Sequence, residues 1–468
     1  MTLWFLVKLE NPDEPEEAAM AAFARQMNLA GFLLAGPVVH SHAVWRHPLT
    51  TRRFTDPLLY QDVAQVLEAG LFDFVFFADR LGVSDQLGGS RDLAFRYGSQ
   101  DAARLDPLPI IAYLAGKTSR IGLGVTRSTT YYQPNHIVRS FTTLDHLSAG
   151  RGAWNVVTSM NDSEGRIFGQ ARHMDHDRRY DRADEFMEVA FKLWRSWDAD
   201  ALIHDKEAGI FADPAKIHAV DHHGTFFDVE GPMNMPPGPT GHPVIIQAGS
   251  SGRGRRFGAR WAEAIFAINR TIEEARAFRD DVRRQVVEQG RPADSCRILT
   301  AVMPFIGCTE KEATRKRDEH NALARPELGI ATLSSQLNFD FGRYDVATPI
   351  AALSVDPSLP AEVREKLSGL AGDNATLGTL GRIWSSSVRV PQLVGTGRQI
   401  ARILADWFEA DACDGFVISP AYLPGSFAEF TAEVVPELQR LGLFRRAYSG
   451  TTLREHLGST DPHARQAA

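Results

Sequence analysis

Cysteine is scarce: Cys296, Cys308 and Cys413 are the only three in 468 residues. They are too few and too scattered for a disulfide framework or a zinc site, and read as free thiols of a cytoplasmic protein. Long hydrophobic runs are missing too. No stretch reaches the roughly 18–20 apolar residues of a membrane span, so no membrane partner is expected. Positive charge is not in excess. With 51 Lys and Arg against 58 Asp and Glu, the net charge is −7, and nucleic acid as the main partner would call for a basic face. The opening MTLWFLVKLENPDEPEE has neither a basic leader nor a small-residue cleavage site, and makes a poor signal peptide. Residues 1–26 are acidic, carry two prolines and read as a disordered extension, or as sequence upstream of a true start at Met27. Nucleotide fingerprints are also lacking. There is no P-loop, and the glycines at 252, 254 and 258 miss the dinucleotide spacing by one residue.

What is there is an ordinary soluble globular composition, 44% hydrophobic and 23% charged, with no internal repeat. Short apolar runs alternate with amphipathic ones. The runs Leu29–Leu34, Phe74–Phe77, Ile121–Val125, Ala153–Val157, Val244–Gln247, Ala264–Ala267, Ile298–Ile306 and Phe416–Ser419 predict strands. Their continuous apolar character suits parallel strands covered on both faces. Helices are predicted at Leu58–Ala69, Pro107–Ala115, Ile137–Leu147, Asp181–Trp197, Ile272–Gln289, Thr396–Glu409 and Phe427–Leu441. Eight strands with interposed helices predict a (β/α)8 TIM barrel, although an open doubly wound sheet gives a similar pattern. The polar stretch 198–240 and the stretch 326–391 break the rhythm and read as insertions at the catalytic face. A single barrel domain over 27–458, with a tail at 459–468, is the expected organisation.

Several residues can carry chemistry. His176 and Tyr180, four apart at a helix entrance, share one helical face. The run HPVIIQAGSSGRGRRFG reads strand, turn, helix, placing Ser250 and Ser251 where a helix dipole favours a phosphate; Arg253, Arg255 or Arg256 could add charge. Asp79 ends the apolar strand FDFVFFADR, where a carboxylate can accept from a ring N–H or ribityl hydroxyl or simply pair with Arg80. Thr126, Ser128 and Thr129 leave the third strand. HSHAVWRHP follows strand one with His40, His42 and His47, and an imidazole is the natural proton donor near neutral pH. No carboxylate or cysteine completes a metal set beside them, so no metal is expected. His222–His223 reads as a polar surface loop.

Together, HSHAVWRHP, FFADR, RIGLGVTRSTTYYQPNHIVRSFTTLDHLSAGRGAWNVVTS, HDRRYDRADEF, GPMNMPPGPTGHPVIIQAGSSGRGRRFGARWAEAIF and TLREHLG resemble the flavin-dependent monooxygenases of the nitrilotriacetate and dibenzothiophene-sulfone type, in the bacterial luciferase-like superfamily. The resemblance spans nearly the whole chain, from Met27 to Gly458. It implies a luciferase-like barrel that takes reduced FMN (FMNH2) from a separate NAD(P)H:FMN reductase and oxygenates a small organic substrate with O2 through a flavin 4a-hydroperoxide. Flavin contacts implied are Asp79, Thr126, His176, Tyr180, Ser250 and Ser251. For the proton, His42 or His40 is favoured, with His176 holding flavin or peroxide. A homodimer or homotetramer is implied as well. One departure stands out: relatives often carry a histidine where this chain has Gln336, so its substrate or proton route can differ. Two other readings remain open, a deazaflavin-dependent oxidoreductase of the same superfamily and a non-catalytic flavin-binding protein. Phe339, Phe341 and Tyr344 read either as an apolar pocket wall or as the insertion's own small core.

Overall fold

A computed structural model describes residues 25–370, 374–459 and 461. Eight parallel strands close into a barrel: β1 (Asn28–Leu34), β2 (Phe74–Ala78), β3 (Gly122–Ser128), β4 (Gly152–Val157), β5 (Val244–Gln247), β6 (Ala264–Ala267), β7 (Arg297–Ile306) and β8 (Gly415–Ile418). Each pairs with the next, and β8 returns to β1 with Gly415 opposite Asn28. Glycine is required at that seam, because a Cβ on Gly415 would lie 1.9 Å from the Asn28 carbonyl oxygen. The strands are apolar throughout because both faces are covered. On β1, Phe32 turns inward to meet Phe76 at 5.5 Å, whereas Gly31 lies against Leu67 of the helix Pro57–Ala69. Every strand expected from the pattern is present, with ends shifted by no more than a few residues.

The helices follow local rules. Asp56 and Asp106 cap the helices Pro57–Ala69 and Pro107–Ala115, each accepting from the second helical N–H with proline at the first position. Most helix ends shift by three residues or fewer, and two helices differ more. The span Phe427–Leu441 is not one helix but two, Gly425–Glu433 and Val435–Arg440. Pro436 has no N–H to continue the ladder, and its ring crowds the preceding turn. The helix expected at Asp181–Trp197 runs His176–Trp194, so His176 is its first residue.

The N-terminal face of the barrel is locked by buried ion pairs. Asp73, Glu263 and Asp414 immediately precede β2, β6 and β8. They pair with Arg445, with Arg454 (2.6 Å) and with Arg279 and Arg283 (3.4 and 3.0 Å). Arg454 belongs to the short helix Leu453–His456 of the TLREHLG segment. Of the span read as an extension, residues 1–24 lie outside the described residues. Arg25 is described, and its guanidinium sits 2.7 Å from Asp411.

The two stretches that break the pattern, 198–240 and 326–391, hold structure of their own. The first holds two antiparallel ribbons, Leu202–Asp205 with Ile210–Ala212 and His222–His223 with Asp228–Val229. His222 corrects the surface-loop reading: it is buried against Glu185 at 3.3 Å, and the Glu185 carboxylate also accepts the N–H groups of Thr225, Phe226 and Phe227. The second insertion folds as four helices, Pro326–Leu337, Ile350–Val355, Ala361–Ser368 and Leu377–Ser387, with a core separate from the barrel's. Phe339 and Phe341 pack edge to face at 4.9 Å inside that core. They and Tyr344 are therefore the insertion's own packing, not a pocket wall. A strand with no counterpart in the sequence reading, Gln392–Gly395, then pairs with the C-terminal part of β7. Among the described residues no helix is long and apolar enough to cross a membrane, and no cluster of His, Cys, Asp and Glu could hold a metal ion.

Candidate functional site

A cavity of about 520 Å³ opens at the C-terminal ends of β2, β4 and β5, with the helical insertion as its roof. That is the barrel face where loops after the strands converge. Asp79, His176, Tyr180, Ser250 and Ser251 all line it, beside Gln247, Thr158 and Gln336.

One wall is the serine turn. After β5 ends at Gln247, its side-chain Oε1 accepts the Gly249 N–H at 2.7 Å and turns the chain. Ser251 then caps the helix Gly252–Trp261, accepting the Gly254 N–H at 3.0 Å. Tyr180 fits into the crook of this turn: a Cβ on Gly249 or Gly254 would lie 2.9 or 2.7 Å from its hydroxyl oxygen. Burial pushes the hydroxyl's pKa up, with the neighbouring Ser251 and Thr158 hydroxyls pulling the other way. His176 stands edge to face with Tyr180 at 5.1 Å, its Nε2 3.3 Å from Ser251 Oγ. Ser250 and Ser251 are exposed to the cavity at the positive end of a helix dipole, an arrangement suited to an anion. The arginines proposed for this anion are spoken for. Arg253 pairs with Asp181 and Asp184 at 3.0 and 2.7 Å, and Arg255 with Asp281 at 2.7 Å. Arg256 is exposed and lines no part of the cavity. Three cations do line it: Arg80 and Lys366, which pair with Asp101 and Glu362, and Arg179, one turn from His176, whose Nε has no partner among the described residues.

Asp79 lies opposite, just past β2. Its carboxylate accepts the Arg80 N–H at 2.8 Å and lies 3.4 Å from Arg127 and 4.0 Å from Arg104. Burial pushes its pKa up to about 6, with the two arginines pulling the other way. Arg80 itself pairs with Asp101 (3.1 Å) and reaches Ser335 of the insertion at 3.1 Å, tying the roof to the rim. Gln336, next along, gives its Oε1 to the Trp384 indole N–H at 2.8 Å.

Three expected residues sit apart from this cavity. Thr126 is buried between strands, donating to the Phe77 carbonyl at 3.0 Å and accepting from Asn155 at 2.9 Å. His40 is buried inside the barrel mouth, stacked on Phe32 at 3.9 Å and facing Phe266 at 6.0 Å, with Nδ1 2.9 Å from Ser419 Oγ. His42 is buried below the insertion, with Nε2 3.2 Å from Thr332 and its backbone N–H on the Ser385 carbonyl. Burial pushes His40 down to about 3 and His42 to about 4. The aromatic floor of Phe32, Phe76 and Phe266 went unread in the sequence, where each is one apolar residue of a strand. Arg104 and Arg127 were missed because nothing in DAARLD or VTRS marks an inward guanidinium.

Residues 39–410 match the luciferase-like monooxygenase family. The chain is 47% identical to dibenzothiophene-sulfone monooxygenase of Rhodococcus erythropolis over 442 residues, 94% of this chain and 98% of that protein. It is 39% identical to nitrilotriacetate monooxygenase component A of Aminobacter aminovorans over 445 residues, 94% of this chain and 97% of that one. Among solved structures, a riboflavin lyase with modified FMN and riboflavin superposes with a TM-score of 0.85 at 36% identity, covering 93% of this chain and 97% of its own. With a closed eight-stranded barrel and matches of this extent, the chain belongs to the luciferase-like monooxygenase family and is a monooxygenase.

Proposed function

We propose that the cleft binds reduced FMN supplied by a separate NAD(P)H:FMN reductase, and that the protein uses it with O2 to oxygenate a small organic substrate. The observation that carries this reading is the meeting of the serine turn, Tyr180 and Asp79 in one cavity. The residues fit the group. The volume lies within the range of cofactor sites, the helix N-terminus suits a phosphate, and Asp79 suits a ring N–H. When bound, the flavin supplies two electrons; with two more from the substrate, O2 yields one oxygen atom to product and one water.

The chain's own groups divide the remaining work. Ser250, Ser251 and the first N–H groups of their helix hold the phosphate, with His176 Nε2 and Arg179 beside it. Tyr180 fixes the turn. The insertion roofs the cleft and excludes water, which protects the activated oxygen from unproductive decay. His40 and His42 are kept uncharged by burial, so each presents one ring N–H and one acceptor nitrogen and takes up no second proton at neutral pH. Asp79, pushed up to about 6 by burial, is a cleft group able to exchange a proton in that range. The face of Phe266 left partly open at the barrel mouth favours an apolar or aromatic substrate.

The test is oxygen uptake by the purified protein with a generic NADH:FMN reductase, against a panel of organosulfur, amine and aromatic compounds. Uptake above the free-flavin rate, matched one to one by oxygenated product, is the expected result. Folded protein that neither binds FMNH2 nor couples uptake to any product contradicts the proposal.

A further inference from the structure

A second cavity, of about 820 Å³, is larger than the cleft and shares no lining residue with it. It lies outside the barrel mouth, between the loop after β6 (Arg270), the end of the helix Glu310–Leu323, and the helix Leu377–Ser387 with the chain that follows it. Its described lining holds three arginines, Arg270, Arg382 and Arg389, and no carboxylate; Leu380, Ile383 and Val390 give it an apolar wall.

The arginines differ in their commitments. Arg270 pairs with Glu274 at 2.8 Å. Arg382 is exposed and reaches only the Thr379 hydroxyl, at 3.3 Å. Arg389 is half-buried and, among the described residues, has neither hydrogen bond nor ion pair; its guanidinium lies 5.5 Å from the Trp384 ring centroid. Burial lowers its pKa, the neighbouring Arg270 lowers it further, and Glu274 opposes only from a distance while bound to Arg270. The backbone holds this cation in place at a cost. Val388 and Arg389 adopt φ of +49° and +68°, a left-handed pair without glycine. Each such residue is strained and persists only where the surroundings fix it. A half-buried charge with no counter-ion among the described residues, facing an open apolar space, is a site whose electrostatics improve when an anion enters.

We propose that this cavity binds an organic anion, a carboxylate or sulfonate on an apolar body, with the Arg389 guanidinium as its counter-ion. Trp384 connects the site to the cleft: one side of the indole meets Arg389, and its N–H holds Gln336 of the cleft lining. The proposal does not depend on the flavin assignment.

Calorimetric titration of the full chain with 2-naphthoate, and with the neutral 2-naphthamide, tests it. The expected result is one equivalent of naphthoate bound at least about tenfold more tightly than the amide, unaffected by saturating FMN. Arg389→Gln should abolish that preference, Arg389→Lys should keep part of it, and Arg382→Gln, at an exposed position, should weaken it less. Thermal melts of each variant confirm that it is folded. No binding of naphthoate, equal binding of the amide, displacement by FMN, or an Arg389→Gln protein that binds as the parent does would each overturn the proposal.

Discussion

Gly254→Ala separates what the serine turn does for stability from what it does for the ligand. In a helix interior such a change ordinarily stabilises by about 1 kcal/mol, because glycine gives up more backbone freedom on folding. Here the added Cβ would lie 2.7 Å from the Tyr180 hydroxyl oxygen, where ordinary contact begins at 3.4 Å. The phenol must therefore retreat by about 0.7 Å, against rings of His176 at 5.1 Å and Phe257 at 5.6 Å. Overpacking of this kind costs roughly 1–3 kcal/mol, so the net change is a loss of about 0–2 kcal/mol. Displacing the hydroxyl also loosens Ser251, and FMN affinity should fall by about tenfold, or 1.4 kcal/mol. In a Tyr180→Phe background the clash with oxygen is gone, and the same glycine substitution should cost less than half as much. Chemical denaturation and FMN fluorescence titration of the four proteins read both quantities. A Gly254→Ala protein that binds FMN as tightly as the parent, or a penalty that is the same with and without the hydroxyl, refutes the reasoning.

Other outcomes follow from the buried charges and the insertion. His40, His42 and His320 have folded pKa values pushed by burial to about 3, 4 and 3, below their ordinary 6.5. The unfolded chain therefore takes up protons first as the pH falls, and their contribution, intact above pH 6.5, is lost on acidification towards 3. Between pH 6.5 and 5 the three together remove about 5 kcal/mol. Asp79 acts in the opposite sense, its folded pKa of about 6 lying above the ordinary 3.8, and returns about 1 kcal/mol between pH 6 and 5. Stability measured against pH should fall steeply over this window, and His320→Gln should flatten the slope; a profile level from pH 7 to 5 contradicts the buried neutral histidines. Asp79→Asn should leave the ligand-free protein no less stable at pH 8 while weakening FMN binding, since it removes a buried charge the cleft holds at a cost; an equal FMN affinity would count against the carboxylate's role. Gly329→Ala would put a Cβ 1.8 Å from the Gly381 carbonyl oxygen, where the helices Pro326–Leu337 and Leu377–Ser387 meet. It should cost more than about 3 kcal/mol and make the insertion the first part to be cut by protease; native-like resistance would show that the two helices tolerate separation.

The barrel was legible because its strands are buried on both faces, so β1 to β8 each read as an unbroken apolar run between helical patterns. The serine turn and the His176–Tyr180 pair were legible because both rest on local spacing, a helix start and a four-residue repeat. The helix break at Val434 was missed although Pro436 signalled it, because the apolar period runs on past it. The insertion resisted reading for a different reason. Its core is built from residues distant in sequence, such as Leu333, Phe341 and Trp384, whose common burial no local period records. The same holds for Asp79: its apolar strand predicted the position at the rim, whereas its raised pKa comes from burial by segments distant in sequence, against which Arg104 and Arg127 pull. Only the three-dimensional fold shows that His40 points into an aromatic floor while His42 sits beneath the helices of the insertion.

The central claim is that the flavin's phosphate is held at Ser250–Ser251. Anaerobic titration with FMNH2 and with reduced riboflavin, which lacks only that phosphate, tests it most directly. The account predicts one equivalent of FMNH2 bound at least about a hundredfold more tightly than reduced riboflavin, with the difference largely erased by Ser251→Ala. Equal affinities for the two flavins would contradict it.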